Sequence, residues 1–129
     1  MSDYWTDAID RMADVGPWYL VDGKTKVFAN KAGLATVPSA AISMFENGGS
    51  VDSENATYAN GDRLVWTGTT TGGRKQVACL NWTWGTPETG TLGDALAQDS
   101  RWTIVTDFGL PSYETPDCEK QARLYCFEQ

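Results

Sequence analysis

The side chains able to do chemistry are few in kind. The 129-residue chain has no histidine, three cysteines (Cys79, Cys118 and Cys126), and 17 Asp and Glu against 10 Lys and Arg. Without an imidazole there is no Ser-His-Asp or Cys-His nucleophile and no His-ligated zinc or copper centre. A cysteine nucleophile needs a base or an electropositive setting, whereas Cys118 stands between Asp117 and Glu119. Paired carboxylates can hydrolyse glycosides, but with 17 acids chance pairs are plentiful and no local motif singles out a dyad. Gly72-Gly73-Arg74-Lys75 lacks the spacing of a phosphate loop and reads as a hairpin turn with a small basic patch. The net charge of −7 argues against a nucleic-acid partner and against a polybasic membrane surface. No apolar run approaches the roughly 20 residues that span a bilayer. The odd cysteine count leaves one thiol over if the other two pair; in a reducing compartment all three stay thiols.

Binding chemistry is what remains. Residues 83–100 are rich in Thr, Gly and Asp, and the stretch to 117 carries six acids: Glu88, Asp94, Asp99, Asp107, Glu114 and Asp117. Calcium takes about six to eight oxygens at one centre, so calcium is a minor expectation beside plain solvated loop charge, and no other cofactor is indicated. Trp84 follows Trp82 by two residues, and Gly85-Thr86-Pro87 breaks any strand there. An exposed indole stacks on the apolar face of a sugar and adds a hydrogen-bond donor, which makes Trp84 a candidate ligand contact. Trp5, Trp18, Trp66, Trp82 and Trp102 read as core. Asn55-Ala56-Thr57 and Asn81-Trp82-Thr83 fit the N-glycosylation pattern by coincidence.

The elements that must position these residues are short. One domain is expected over 1–129. Residues 2–15 show apolar positions at helical spacing (Tyr4, Trp5, Ala8, Ile9, Met12, Ala13), with Ser2 as cap and Gly16-Pro17 as stop, so an N-terminal helix within 1–16 is expected. Trp18–Val21 and Lys26–Ala29 predict a hairpin about Asp22-Gly23. Further strands are expected at Leu64–Thr67, Gln76–Leu80, Arg101–Val105 and Arg123–Phe127, with one or two helical turns over Leu92–Ala97. The composition, 41% hydrophobic with 13 Gly and six Trp, suits a packed but loop-rich domain of short strands.

Several fragments then fall in a telling order: Asp22-Gly23 with Val27-Phe28-Ala29-Asn30, Trp66-Thr67-Gly68, Cys79-Leu80-Asn81-Trp82, and Leu124-Tyr125-Cys126-Phe127-Glu128-Gln129, with an eight-residue step from Cys118 to Cys126. Over residues 18–129 this resembles a bacterial family of surface lipoprotein and adhesin-like domains related to the C-type-lectin-like and endostatin folds. The resemblance implies an α+β, C-type-lectin-like fold: short antiparallel strands, one or two helices and a long irregular loop region. It implies a disulfide between Cys79 and Cys118, leaves Cys126 without its usual partner near the domain's start, and so suggests a shortened domain or a piece of a longer protein. The sugar-binding triplets of calcium-dependent lectins do not occur in this chain, so that mechanism does not carry over. The resulting expectation is a non-catalytic cell-surface or extracellular module that binds a glycan or surface protein through residues 83–117. Its candidate contacts are Asn81, Trp84, Glu88, Asp94, Asp107 and Tyr113. A homotrimer is compatible with an upstream stalk continuing the first helix. A purely structural module and a carboxylate-dependent glycoside hydrolase are the alternatives.

Overall fold

The computed structural model describes residues 5–57, 62–79, 89–106, 118 and 121–126. Their architecture is α+β in the coarse sense, with two small antiparallel strand pairs and a few short helical turns. The first pair is β1 (Trp18–Tyr19) with β2 (Lys26–Phe28), and the second is β3 (Leu64–Trp66) with β4 (Leu92–Asp94).

The β1–β2 hairpin is built where the Asp-Gly signal placed it. Asp22 accepts hydrogen bonds from the amides of Lys24 and Thr25, both at 2.8 Å, and from the Thr25 hydroxyl at 2.6 Å. Gly23 takes φ +64°, a region glycine enters without steric penalty. Trp18 pairs with Phe28 and Tyr19 with Lys26 across a bulge. The chain then turns through a 3-10 helix at Lys31–Ala35, which the sequence reading did not include; Asn30 caps it by accepting from the Gly33 amide at 3.1 Å. Trp18, Leu20, Val27, Phe28, Leu34, Ile42, Ala97 and Trp102 form the core on this side. A second cluster of Val51, Ala56, Val65 and Ala95 lies under β3, and Tyr125 packs against both.

Three expected elements take other forms. The helix expected over 2–15 is confined, among the described residues, to α1 (Ala8–Arg11). Asp7 sits at its N-cap, yet its carboxylate makes no capping bond and instead accepts from the Lys75 amide and the Arg74 guanidinium. No residue of α1 is buried and Trp5, expected in the core, is 87% exposed. A segment this short with so little burial has nothing to offset the cost of further helical turns. Leu92–Asp94, expected to be helical, is strand β4, because β3 offers an open edge and glycine at 93 is a weak helix former. Residues 101–105, expected as a strand, begin instead as a 3-10 turn at Ser100–Trp102, set by Asp99 accepting from the Arg101 amide at 2.9 Å.

Of the strand expected at 76–80, the described residues 76–79 form a single bridge, from Ala78 to Gly90, because Cys79 has φ +27° and leaves the extended region. Among the described residues 123–126 the closing strand is a parallel bridge between Arg123 and Val65, with hydrogen bonds from the Trp66 amide to the Arg123 carbonyl (2.8 Å) and from the Arg123 amide to the Leu64 carbonyl (2.9 Å). Leu64–Trp66 therefore has neighbours on both edges. Trp18 and Trp102 are buried as expected, while Trp66 is only half-buried.

Candidate functional site

The candidate recognition segment, 83–117, is rooted at both ends in a covalent bond. Cys79 and Cys118, 39 positions apart in sequence, are joined as a disulfide with Cα atoms 5.6 Å apart. Cys79 is buried, and its sulfur lies so near Gly90 that a Cβ there would come within 2.7 Å of it and within 2.5 Å of the Trp66 ring. The root of the segment is thus packed as well as bonded. In the chain-entropy picture, closing a loop of this length removes about 4 kcal/mol of disorder from the unfolded state. Cys126 is a free thiol, exposed at the surface.

From Thr89 the described chain returns across the molecule. Gly90 bridges Ala78, and the Thr91 amide bonds to the Val77 carbonyl at 2.9 Å. β4 then lies against β3. Gly93 is required here because a Cβ would stand 2.0 Å from the Trp102 carbonyl oxygen. The Thr67 hydroxyl donates to the Thr103 carbonyl at 2.6 Å, and the Tyr125 hydroxyl to the Trp102 carbonyl at 2.6 Å. The Tyr125 phenol is half-buried with its oxygen turned inward; burial, and to a lesser degree the charge of Asp94, push its pKa far above the usual phenol value.

The expected contact residues divide in two. Asp94 lies in β4, fully buried, with its carboxylate paired to the Arg63 guanidinium and accepting from the Leu96 amide at 2.9 Å. In that position it organises the floor of the fold and is turned away from solvent. Asn81, Trp84, Glu88, Asp107 and Tyr113 lie outside the described residues. Of the other loop acids, Asp99 is engaged by Arg101 at 2.7 Å, which holds its carboxyl below the ordinary range. Glu114 and Asp117 also lie outside the described residues. Among the described residues no group of three or more Cys, Asp or Glu is placed to hold a metal ion.

The sequence reading missed the role of Arg63. Its partner lies 31 positions away, so the pair becomes visible only when β3 and β4 are registered. Arg123 escaped notice in the same way: its guanidinium sits 4.1 Å from the centre of the Phe45 ring and donates to the Asp62 carbonyl at 3.0 Å. No described helix is long and apolar enough to cross a membrane. Comparison with family models, with curated proteins and with solved structures returns no match for this chain.

Proposed function

We propose that the chain is a non-catalytic recognition module of C-type-lectin-like design, acting outside the cell. It would bind a glycan or a surface protein through residues 83–117. The observation that supports this reading most is the Cys79–Cys118 bond, which joins the two ends of a long segment whose middle, β4 and the Ser100–Trp102 turn, is packed into the scaffold. A tethered segment loses less entropy when it docks than an unanchored one, so more of its contact energy appears as affinity. The disulfide also fits an oxidising compartment. With Asp94 committed to Arg63, the contacts we assign are Asn81, Trp84, Glu88, Asp107 and Tyr113.

A glycan array probed with the oxidised chain tests the reading, with Trp84→Ala alongside. Saturable binding to a defined glycan class, weakened at least tenfold by Trp84→Ala, supports it. An empty array, together with no effect of the substitution on adhesion to cells, favours a purely structural module. Turnover of an oligosaccharide that disappears on a single Asp→Asn change would replace it with a hydrolase.

A further inference from the structure

The N-terminal segment lies along a pocket of about 280 Å³. Its walls are Leu34, Trp66, Trp102, Leu124 and Tyr125 of the body and Ala8, Ile9 and Met12 of the segment. Among the described residues, no charged side chain lines it. The polar groups in the wall are already bonded internally. The Thr67 hydroxyl donates to the Thr103 carbonyl (2.6 Å), the Thr69 hydroxyl to the Thr67 carbonyl (2.7 Å), and the Tyr125 hydroxyl to the Trp102 carbonyl (2.6 Å). The Trp102 indole N–H donates to the Thr36 carbonyl at 2.8 Å. A polar ligand would meet few open partners there, whereas a flat apolar one would meet three aromatic side chains. An engineered apolar cavity of about 150 Å³ is enough to take up benzene.

Ile9 and Met12 of this cover pack against the core, and polar contacts add to that. Among these are the Asp7 carboxylate on Arg74 (2.9 Å) and on the Lys75 amide, and the Ile9 amide on the Gly73 carbonyl (3.3 Å). The Ile9 side chain sits where a Cβ on Gly73 would come within 2.7 Å of it. The ion pair is at the surface, and such pairs contribute little to stability. The helix has four residues and buries none of them.

We propose that residues 5–15 form a strap along a binding site for a small, uncharged aromatic compound, one or two fused rings in size. The strap supplies Ile9 and Met12 as one wall, and the Asp7–Arg74 contact is its latch. Opening the latch admits the ring between the strap and the faces of Trp66, Trp102 and Tyr125. The site shares Trp102 and Thr103 with the 83–117 segment but includes none of the contacts assigned above, so its failure and the failure of the recognition reading are separately readable.

Indole is the probe, titrated into the oxidised chain and followed by methyl NMR, with glucose as the polar control. Saturable shifts at Ile9, Met12, Leu34 and Leu124, with intermolecular NOEs to the same methyls and none with glucose, are expected. Ala8→Trp, which fills the pocket from the strap side, should weaken binding at least tenfold. Should that variant fail to fold, Leu124→Trp fills the site from the 57%-exposed rim and should do the same. Asp7→Asn should speed indole exchange several-fold by loosening the latch. No saturable shift up to the solubility of indole, NOEs confined to other methyls, or undiminished binding by a folded pocket-filling variant would overturn the proposal.

Discussion

Around β1 and β2 the chain is held by bonds that close over a few residues; around β3 and β4 it is held by bonds that span tens. Asp22 gathers Lys24 and Thr25, and Asn30 gathers Gly33. Asp94, by contrast, reaches Arg63, Thr67 reaches Thr103, and Cys79 reaches Cys118, separations of 31, 36 and 39 positions. The hairpin side is also the more apolar, with Trp18, Val27, Phe28 and Trp102 buried together, whereas the β3–β4 side buries a carboxylate and several threonines. Local turns can form early and cheaply because little loop entropy is lost. The β3–β4 side is cooperative: each tie is worth having only when the others have brought its partner near.

That contrast is sharpest at two glycines. At Gly93 an added Cβ would be 2.0 Å from the Trp102 carbonyl oxygen, and backbone on both sides has nowhere to move; at Gly33 the nearest atom would be 3.6 Å away. Gly93→Ala should therefore abolish cooperative unfolding, read by near-UV circular dichroism during a thermal scan, while Gly33→Ala should leave the midpoint nearly where it was. Equal behaviour of the two variants would mean that β4 and the Ser100–Trp102 turn are less tightly apposed than described.

Removing the covalent tie is the next largest change. Cys118→Ser should lower unfolding stability by up to about 4 kcal/mol in a denaturant titration. Amide protection should fall first near Ala78 and Gly90 and last in the β1–β2 turn; uniform loss would merge the two regions into one cooperative unit. Asp94→Asn keeps the shape but removes the charge facing Arg63, and should destabilise by about 2–3 kcal/mol. Raising salt should shrink that difference only slightly, because the Asp94 carboxylate is fully buried.

The smallest effect separates the regions by pH. Asp22 is held below its ordinary pKa first by the Thr25 hydroxyl and then by the Thr25 and Lys24 amides; Asp52 is held down by Asn55 and the Glu54 amide. A carboxylate with a lowered folded pKa adds stability above its unfolded value, near 3.8, and that stability is lost as pH falls through the folded value. An acid titration should loosen the Asp22 turn progressively as pH falls below 3.8. In Asp22→Ala the step at that turn should vanish. Tyr125 has the opposite sign. Its raised pKa leaves stability intact below the ordinary phenol value near 10 and erodes it as pH climbs above that, and Tyr125→Phe should remove this part of the alkaline loss.

How much could be read beforehand follows the same division. The hairpin at 18–28, its Asp-Gly turn and the strand at Leu64–Trp66 were legible because alternation and turn chemistry act within a few residues. Cys79 and Cys118 were singled out by resemblance, and they are bonded. Asp94 was singled out as an exposed loop acid because its neighbours are polar, yet it is buried; nothing within several residues of it names Arg63. Leu92–Ala97 carries a spacing that suits a helix, but an open strand edge from a distant segment outweighs that propensity.

The sequence by itself determined that the chain lacks imidazole chemistry, carries excess negative charge, turns at Asp22-Gly23 and must pack a tryptophan-rich core from short elements. Only the tertiary structure decided that Arg63 neutralises Asp94, that Gly93 lets Trp102 approach, and that Asp7 holds the N-terminal segment against Arg74 rather than capping its own helix. The reason is range: side-chain type and spacing fix what a few neighbouring residues can do, while the partner of a buried charge or the neighbour of a glycine is set by which distant segments the collapsed chain brings together.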